Sequence, residues 1–445
     1  MNTIRFGRLG FILAAAGSAV GLGNVWKFPY MTGENGGGAF VLIYLLTITF
    51  IGLSLFLAET VMGRLSRGDT VTAFETLAKT HQNYWKYAGF IIITGVLILA
   101  FYTVVIGWIL KYVVLSFQTL PSTVEVAGGL FGGMVTTDTY GQLGYFTLAF
   151  VLCFWIVSRG VKAGIEKVNL FMMPLLILIL LTLLLYAMSL SGFGEAFSFL
   201  FKPDFSKLHS SSVLAAVGHA FFTLSLGMGS IMTYGASLPE KENLFRSSIM
   251  VAFIDTAIAL VAGMVIFTFL FHFGAQPTQG PGLVFVSLPA LLSSFGLLGN
   301  IIAIAFFTAL AFAGITSAVS IIEPVVMYIT NRFNLSRMKA LLILGVMTYG
   351  MGVLALMSNI ETLKASVTFF GKGFFDILDF MSSSIMLPLG GMLVALFVGF
   401  FMEKQTLQTL LLPYMSKRLF AIWYLSIRYV TPVGVLCVML NKLFF

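Results

Sequence analysis

Long apolar runs, separated by short polar stretches, fill this chain of 445 residues. Eleven of these runs come close to or exceed the roughly 20 residues of helix that cross the 30 Å hydrocarbon core of a bilayer. Barrel strands would instead alternate apolar and polar residues over about ten positions. We therefore predict an all-α integral membrane protein with eleven transmembrane helices. The predicted spans, numbered first to eleventh, are residues 9–30, 38–62, 87–116, 143–158, 168–190, 213–235, 247–272, 298–329, 339–357, 377–402 and 419–444.

The composition agrees with this class of protein. Charged residues make up 9% of the chain, where soluble domains carry about 25%. Hydrophobic residues make up 59%, and the mean hydropathy is +1.00. A water-soluble fold of this size has no way to hide so much apolar side chain, because its own surface must still be covered. The lipid bilayer is therefore the expected surroundings of most of the chain.

The distribution of Lys and Arg predicts the orientation. The segments on the N-terminal side of the membrane carry 17 of the 25 cations, and the opposite side carries six. By the positive-inside rule, the N-terminus is cytoplasmic and, after eleven spans, the C-terminus is outside. The net charge of +8 is thus mostly a topology signal, and we expect no nucleic-acid partner.

Two of the spans contain a Gly-x-Gly motif near their centres. Gly21 and Gly23 interrupt the first span, and Gly227 and Gly229 interrupt the sixth. Five spans precede the second copy, so two matching halves must lie in opposite orientations. Paired glycine-interrupted helices in inverted halves indicate a transporter binding site, although glycine in membrane helices also serves close packing. We predict that helices 1 and 6 are unwound at mid-membrane, in inverted repeats covering 9–190 and 213–402, with 419–444 as an additional span.

A broken helix exposes free N–H groups on one half, which suit a carboxylate, and free C=O groups on the other, which suit a hard cation. Asn24, Thr223 and Asp255 place further oxygens on three different spans. In the eighth span, the adjacent hydroxyls of Thr316 and Ser317 have two equally weighted interpretations. They either ligate an ion or bond back to a carbonyl one turn earlier.

Several motifs together resemble the signature of the neurotransmitter:sodium symporter family, in its bacterial LeuT-type branch with eleven spans. The resemblance extends from about residue 8 to the end of the chain. It implies a 5+5 inverted repeat, one substrate site and two sodium sites. The motifs are residues 17–30 (GSAVGLGNVWKFPY), 34–40 (ENGGGAF), 221–227 (FFTLSLG), 255–263 (DTAIALVAG), 313–317 (AGITS) and 375–379 (FDILD).

The resemblance also implies roles for individual residues. The substrate would contact Ala19, Gly21, Leu22, Gly23, Ile98, Tyr102, Phe222, Thr223, Ser225, Met228, Ser317 and Ile321. The first sodium ion would bind Ala19, Asn24, Thr223, Asp255 and the substrate carboxylate, and the second would bind Gly17, Val20, Ala313, Thr316 and Ser317. Tyr102 and Phe222 would form an outer lid, with Lys27 and Asp379 pairing above it. Glu59 would brace the unwound helices, and Glu323 would be a brace with an unassigned partner.

Two positions within the resemblance refine the expected substrate. Family members that carry monoamines have an Asp where this chain has Gly21, so Gly21 favours a substrate with its own carboxylate, an amino acid. Ile98, Phe222, Met228 and Ile321 would form an apolar side-chain pocket, which favours large hydrophobic or aromatic amino acids.

Asp255 supplies the negative charge that chloride supplies in eukaryotic members, with Tyr44 and His219 nearby, so we expect transport without chloride. We expect His219 to be a core residue rather than a proton carrier.

The sequence departs from the family pattern near the inner side. Asn331 replaces an Asp that closes the inner gate with an arginine, and Arg5 lies where an N-terminal Trp is usual. The loop at 117–142 is short and lacks cysteine, which indicates a protein of a bacterial or archaeal cell (inner) membrane. The oligomeric state stays open.

Other functions fit the sequence less well. A membrane enzyme lacks support, because no nucleophile–base pair, metal-ligand spacing or phosphate loop is evident. A sensor on the same scaffold would need an output domain, and both termini are short. A sodium-coupled carrier of another small zwitterion is the remaining alternative.

Overall fold

The computed structural model describes residues 7–277 and 282–444 and is almost entirely helical. Arg5 lies outside the described residues, as does the side chain of Lys442. One two-residue hairpin, Thr368–Phe369 paired antiparallel with Lys372–Gly373, departs from the all-α prediction. It precedes the tenth span, on the predicted outer side.

The helices match the predicted spans closely. Their bounds, in span order, are Arg8–Ala19 with Gly23–Lys27 and Phe28–Glu34; Gly38–Ser66; Gln82–Leu115; Thr139–Ser158; Val161–Ala187; Ser210–Thr223 with Ser230–Ala236; Leu244–His272; Leu297–Phe333; Arg337–Met357; Phe374–Phe401; and Lys417–Phe444. Shorter helices connect them, and their bounds are Thr70–Leu77, Val124–Thr136, Phe193–Phe201, Leu283–Ser287 followed by Leu288–Leu292, and Lys404–Leu411.

Nine helices in the described residues are long and apolar enough to cross a membrane, and a bent pair makes a tenth. The pair is formed by the two parts of the first span, which meet at an angle of 47°. The predicted sixth span corresponds to two helices that are each too short to cross alone. The structure therefore shows a multi-pass architecture, and the count of eleven stays a prediction.

Both predicted interruptions are visible in the backbone. The first helix ends at Ala19 because Val20 adopts an extended conformation, with φ −70° and ψ 105°. The helices of the sixth span are separated by residues 224–229. There Gly227 and Gly229 have φ of +78° and +82°, values that side-chain-bearing residues rarely adopt. Ser225 has φ +54°, a sparsely populated conformation for a non-glycine residue and one that is typical of functional sites.

The two breaks lie next to each other, surrounded by the long third and eighth spans. Ser225 on the second break donates its hydroxyl to the Ser18 carbonyl at the end of the first helix, at 2.7 Å. The N–H of Gly227 donates to the buried carboxylate of Glu59 in the second span, at 2.7 Å. This bond agrees with the predicted bracing role of Glu59 at the sixth-span break, because it holds a backbone group that helix geometry has left without a partner. The role itself stays a prediction.

Candidate functional site

A cavity lies between the two helix breaks and the third, eighth and tenth spans. In this conformation it has a volume of about 10 Å³, close to the least that holds one water molecule. The lining residues are Ala19, Gly21, Gly23, Ile98, Tyr102, Phe222, Ser225, Met228, Ser317, Ile321 and Leu387.

Ten of the twelve residues predicted to contact substrate are among these lining residues. Leu22 instead lines an outer cavity, and Thr223 bonds to Asp255 behind the cavity wall. Leu387 was not predicted, because an apolar residue in an apolar span gives no sequence signal. The structure thus brings the predicted set together, and its role in binding stays a prediction.

One end of the cavity is polar. The N–H of Leu22, just after the first break, donates to the Tyr102 hydroxyl at 3.0 Å. A side chain at Gly21 would place its first carbon 2.7 Å from that hydroxyl and 3.0 Å from the Ser317 side chain. The absence of a side chain at Gly21 therefore leaves space beside these two hydroxyls. A small anionic group of a ligand in this space could accept hydrogen bonds from them.

The remaining wall of the cavity is apolar. Ile98, Met228, Ile321 and Leu387 are each at least 97% buried, and they come from four different spans. Met is unbranched and deformable, so a wall containing it adapts to side chains of different shape. The cavity therefore combines one polar end with a hydrophobic chamber.

Asp255 lies at the centre of a fully buried polar cluster. Its carboxylate accepts from the Asn24 amide nitrogen at 2.7 Å and from the Thr223 hydroxyl at 3.1 Å. The Asn24 carboxamide oxygen accepts from the N–H of Gly21 at 2.9 Å. The side chains predicted to ligate the first sodium ion thus come together from three spans. Rotation of the Asn24 amide group would turn its oxygen toward the same point, and such all-oxygen sets suit hard cations.

The predicted second sodium site lies between the first and eighth spans. Thr316 donates its hydroxyl to the Phe312 carbonyl at 2.8 Å, which is the back-bonding interpretation. A hydroxyl that donates its proton still has acceptor lone pairs, so this bond is compatible with ligation. Ser317 donates to the Ser18 carbonyl at 3.3 Å, which keeps the two helices in register here. The carbonyls of Gly17, Val20 and Ala313 belong to the same two helices.

An outer cavity of about 300 Å³ lies above the first one, and Tyr102 and Phe222 line both. These two aromatic side chains therefore separate the cavities, as expected of a lid. The expected ion pair above them is absent from the described structure. The Lys27 ammonium lies 4.5 Å from the centre of the Phe222 ring, and Asp379 accepts from the Ser383 hydroxyl at 2.8 Å. Both residues line the outer cavity.

Different contacts are found on the opposite, predicted inner side of the molecule. Asn331 donates to the carboxylate of Asp69 at 3.4 Å, a weak link at the edge of hydrogen-bonding distance. The unassigned partner of Glu323 is Arg337, which holds the carboxylate with two guanidinium nitrogens, one of them at 3.0 Å. Arg337 also donates to the Val157 carbonyl at 2.8 Å. It therefore joins the eighth, ninth and fourth spans.

His219 is buried in an aromatic environment. Its ring lies 5.4 Å from that of Tyr44 and 6.0 Å from that of Phe28. Among the described residues, neither ring nitrogen has a hydrogen-bond partner. These contacts support the interpretation of His219 as a core residue.

Comparison with known proteins identifies the family. The model of the sodium:neurotransmitter symporter family matches residues 5–125 and 133–444. The chain belongs to this family. It is a sodium-dependent symporter and a multi-pass membrane protein, as its helices already indicated.

Individual family members support the same assignment. An uncharacterized sodium-dependent transporter of Bacillus subtilis, YhdH, is 36% identical over 442 residues, covering 98% of this chain and 96% of that protein. A sodium- and chloride-dependent GABA transporter 2 of Bos taurus is 27% identical over 391 residues, covering 76% of this chain and 64% of that one.

A solved structure, that of MhsT in complex with L-phenylalanine, superposes with a TM-score of 0.91 at 42% identity. It covers 99% of this chain and 100% of the MhsT chain. The predicted LeuT-type fold is confirmed by this match.

Proposed function

We propose that this symporter takes up large hydrophobic or aromatic L-amino acids together with two sodium ions and without chloride. The observation that carries the proposal is the cavity beside Gly21, which has a polar end at Tyr102 and an apolar wall opposite. An α-amino acid has the same division into a charged end and a side chain. The presence of L-phenylalanine in the related MhsT structure agrees with this substrate class.

The substrate carboxylate would occupy the space that Gly21 leaves open. There it would accept a hydrogen bond from Tyr102 and face the first N–H groups of the resumed helix, which carry partial positive charge. No fixed carboxylate occupies this position, so a substrate that lacks its own would leave the donors unsatisfied. The amino-acid side chain would contact Ile98, Met228, Ile321 and Leu387.

The first sodium ion would bind at Asp255, with Asn24, Thr223, the carbonyl of Ala19 and the substrate carboxylate. Sharing one carboxylate between ion and substrate would make each bind more tightly in the presence of the other. The second ion would bind Thr316, Ser317 and the carbonyls of Gly17, Val20 and Ala313. It would thereby join the first helix to the eighth span.

Two sodium ions also supply enough energy for accumulation. At a membrane potential of about −100 mV, moving two charges inward provides roughly 4.6 kcal/mol before any concentration gradient is counted. The inverted repeats, 9–190 and 213–402, would rock about the paired breaks, with Tyr102 and Phe222 closing over the substrate. We propose a bacterial or archaeal cell membrane with the N-terminus inside, as the cation distribution predicts.

Competition measurements test the substrate class. Proteoliposomes with an inward sodium gradient would take up labelled L-phenylalanine while an excess of one unlabelled compound is present. We expect L-tyrosine, L-tryptophan and L-leucine to suppress uptake strongly, and glycine, L-proline and glycine betaine to have little effect. If the last three compete better, the protein carries another small zwitterion. If binding depends on sodium but no accumulation occurs, the sensor alternative is favoured.

A further inference from the structure

A long apolar groove runs between the fourth and ninth spans, on the outer surface of the helix bundle. It has a volume of about 610 Å³ and is separate from both cavities described above. Phe150 and Gly350 lie at one end, and Ser158 and Met338 lie at the other. Its walls are accessible, since Leu342 and Val346 are each 68% exposed.

The length of the groove matches one leaflet of a membrane. From Met338 to Gly350 the helix rises about 18 Å, at 1.5 Å per residue. Half of the hydrocarbon core measures about 15 Å. Gly345 and Gly350 line the groove without side chains that would fill it. A side-chain carbon built at Gly350 would meet nothing within 4 Å. The groove is thus dimensioned for one extended acyl chain.

Each helix carries a cation at the same end of the groove. On the fourth span, Arg159 follows Trp155 by one turn, and its guanidinium lies 4.9 Å from the centre of that exposed ring. On the ninth span, Lys339 precedes the groove-lining Leu342 by three residues, so both lie on one face. Arg159 and Lys339 are both exposed, and among the described residues neither forms an ion pair. Arg337, two residues before Lys339, is already neutralised by Glu323.

We propose that this groove binds a phospholipid with a negatively charged headgroup. One acyl chain lies along Leu342 and Val346, and the headgroup is held by Arg159 and Lys339. The pair of unneutralised cations selects an anionic headgroup over a zwitterionic one. In the predicted orientation this end faces the cytoplasm, where Trp155 lies at the depth that tryptophan prefers at membrane interfaces.

Native mass spectrometry of the full chain tests the proposal with two lipids of identical acyl chains. We expect retention of phosphatidylglycerol in preference to phosphatidylcholine. The double variant Arg159→Ala, Lys339→Ala should lower phosphatidylglycerol affinity by about 25-fold, roughly five-fold per cation. The matched control removes two exposed cations at the start of the eleventh span, Lys417→Ala and Arg418→Ala, and should retain the lipid.

A second variant fills the groove and leaves its charges in place. Gly350→Leu meets no neighbour within 4 Å of its first side-chain carbon, so it should fold normally while displacing the acyl chain. We expect several-fold weaker retention of phosphatidylglycerol. The proposal is overturned if both lipids are retained equally or if neither variant changes retention. It is also overturned if Gly350→Leu converts a dimer to a monomer, which would assign the groove to a second copy of the chain.

Discussion

The backbone N–H of Leu22 donates a hydrogen bond to the hydroxyl of Tyr102 at 3.0 Å. This bond ties the third span to the point where the first helix resumes after its break. Tyr102 also lines the inner and outer cavities, so one side chain contacts the broken helix, the candidate substrate site and the lid.

Tyr102→Phe should weaken amino-acid binding by about 10- to 100-fold, because a hydrogen bond to a charged carboxylate is lost. Binding of labelled L-phenylalanine in saturating sodium measures this effect. Tyr112→Phe is the matched control in the same span, since no hydrogen-bond partner of the Tyr112 hydroxyl lies among the described residues. If the two variants bind L-phenylalanine with equal affinity, the Tyr102 hydroxyl takes no part in substrate recognition.

Gly21→Ala should abolish substrate binding and leave the protein folded. The added methyl group would lie 2.7 Å from the Tyr102 hydroxyl, in the space assigned to the substrate carboxylate. Equilibrium binding together with a thermal unfolding scan distinguishes the two effects. Gly129→Ala, where nothing lies within 4 Å, is the control and should bind normally. Normal binding by Gly21→Ala would place the carboxylate elsewhere.

Asp255→Ala should abolish sodium-dependent binding, because it removes the charged ligand at the centre of the polar cluster. Thr223→Val, which loses one hydroxyl ligand, should raise the half-saturating sodium concentration by at least about tenfold. Sodium titrations of L-phenylalanine binding measure both. Asp204→Asn, in an exposed segment, serves as the control. If the sodium dependence of binding is unchanged in Asp255→Ala, Asp255 is not a ligand of the sodium ion.

Replacing chloride with gluconate should leave the uptake rate unchanged. We expect no mobile anion to be needed, because Asp255 would place a fixed negative charge beside the proposed first sodium ion. The related GABA transporter of Bos taurus is named as chloride-dependent, which makes this a difference within the family. Loss of uptake in gluconate would show that Asp255 does not replace the anion.

The ion pair between Glu323 and Arg337 should stabilise the fold. Glu323→Gln leaves a largely buried guanidinium without its carboxylate, and we expect a loss of up to about 3–5 kcal/mol. Arg337→Met should also destabilise, and the double variant should lose less than the sum of the two. Thermal unfolding in detergent measures all three. Arg332→Met, at an exposed position, is the control, and strict additivity in the cycle would contradict the pairing.

The sequence was most informative where local conformation decides the structure. The breaks at Val20 and at residues 224–229 could be predicted, because Gly227 and Gly229 permit backbone angles that other residues avoid. Eight of the ten predicted cavity residues lie in or near recognisable motifs, whereas Ile98 and Tyr102 were expected only from the family resemblance.

The sequence was least informative where a partner comes from a distant helix. Leu387 lines the cavity, but nothing distinguishes it from other apolar residues of its span. Glu323 has several cations within reach along the chain, and only the turn into the ninth span selects Arg337. Lys27 and Asp379 were expected to pair, yet the ammonium lies over the Phe222 ring and the carboxylate accepts from Ser383. Pairings of this kind depend on tertiary geometry.

Sodium-driven accumulation of L-phenylalanine is the most direct test of the proposed function. Purified protein in proteoliposomes would receive labelled substrate with sodium outside only, with equal sodium on both sides, or with choline in place of sodium. We expect the internal concentration to exceed the external one only under the inward gradient and to collapse when a sodium ionophore is added. Equal levels under all three conditions would contradict sodium-coupled transport of this amino acid.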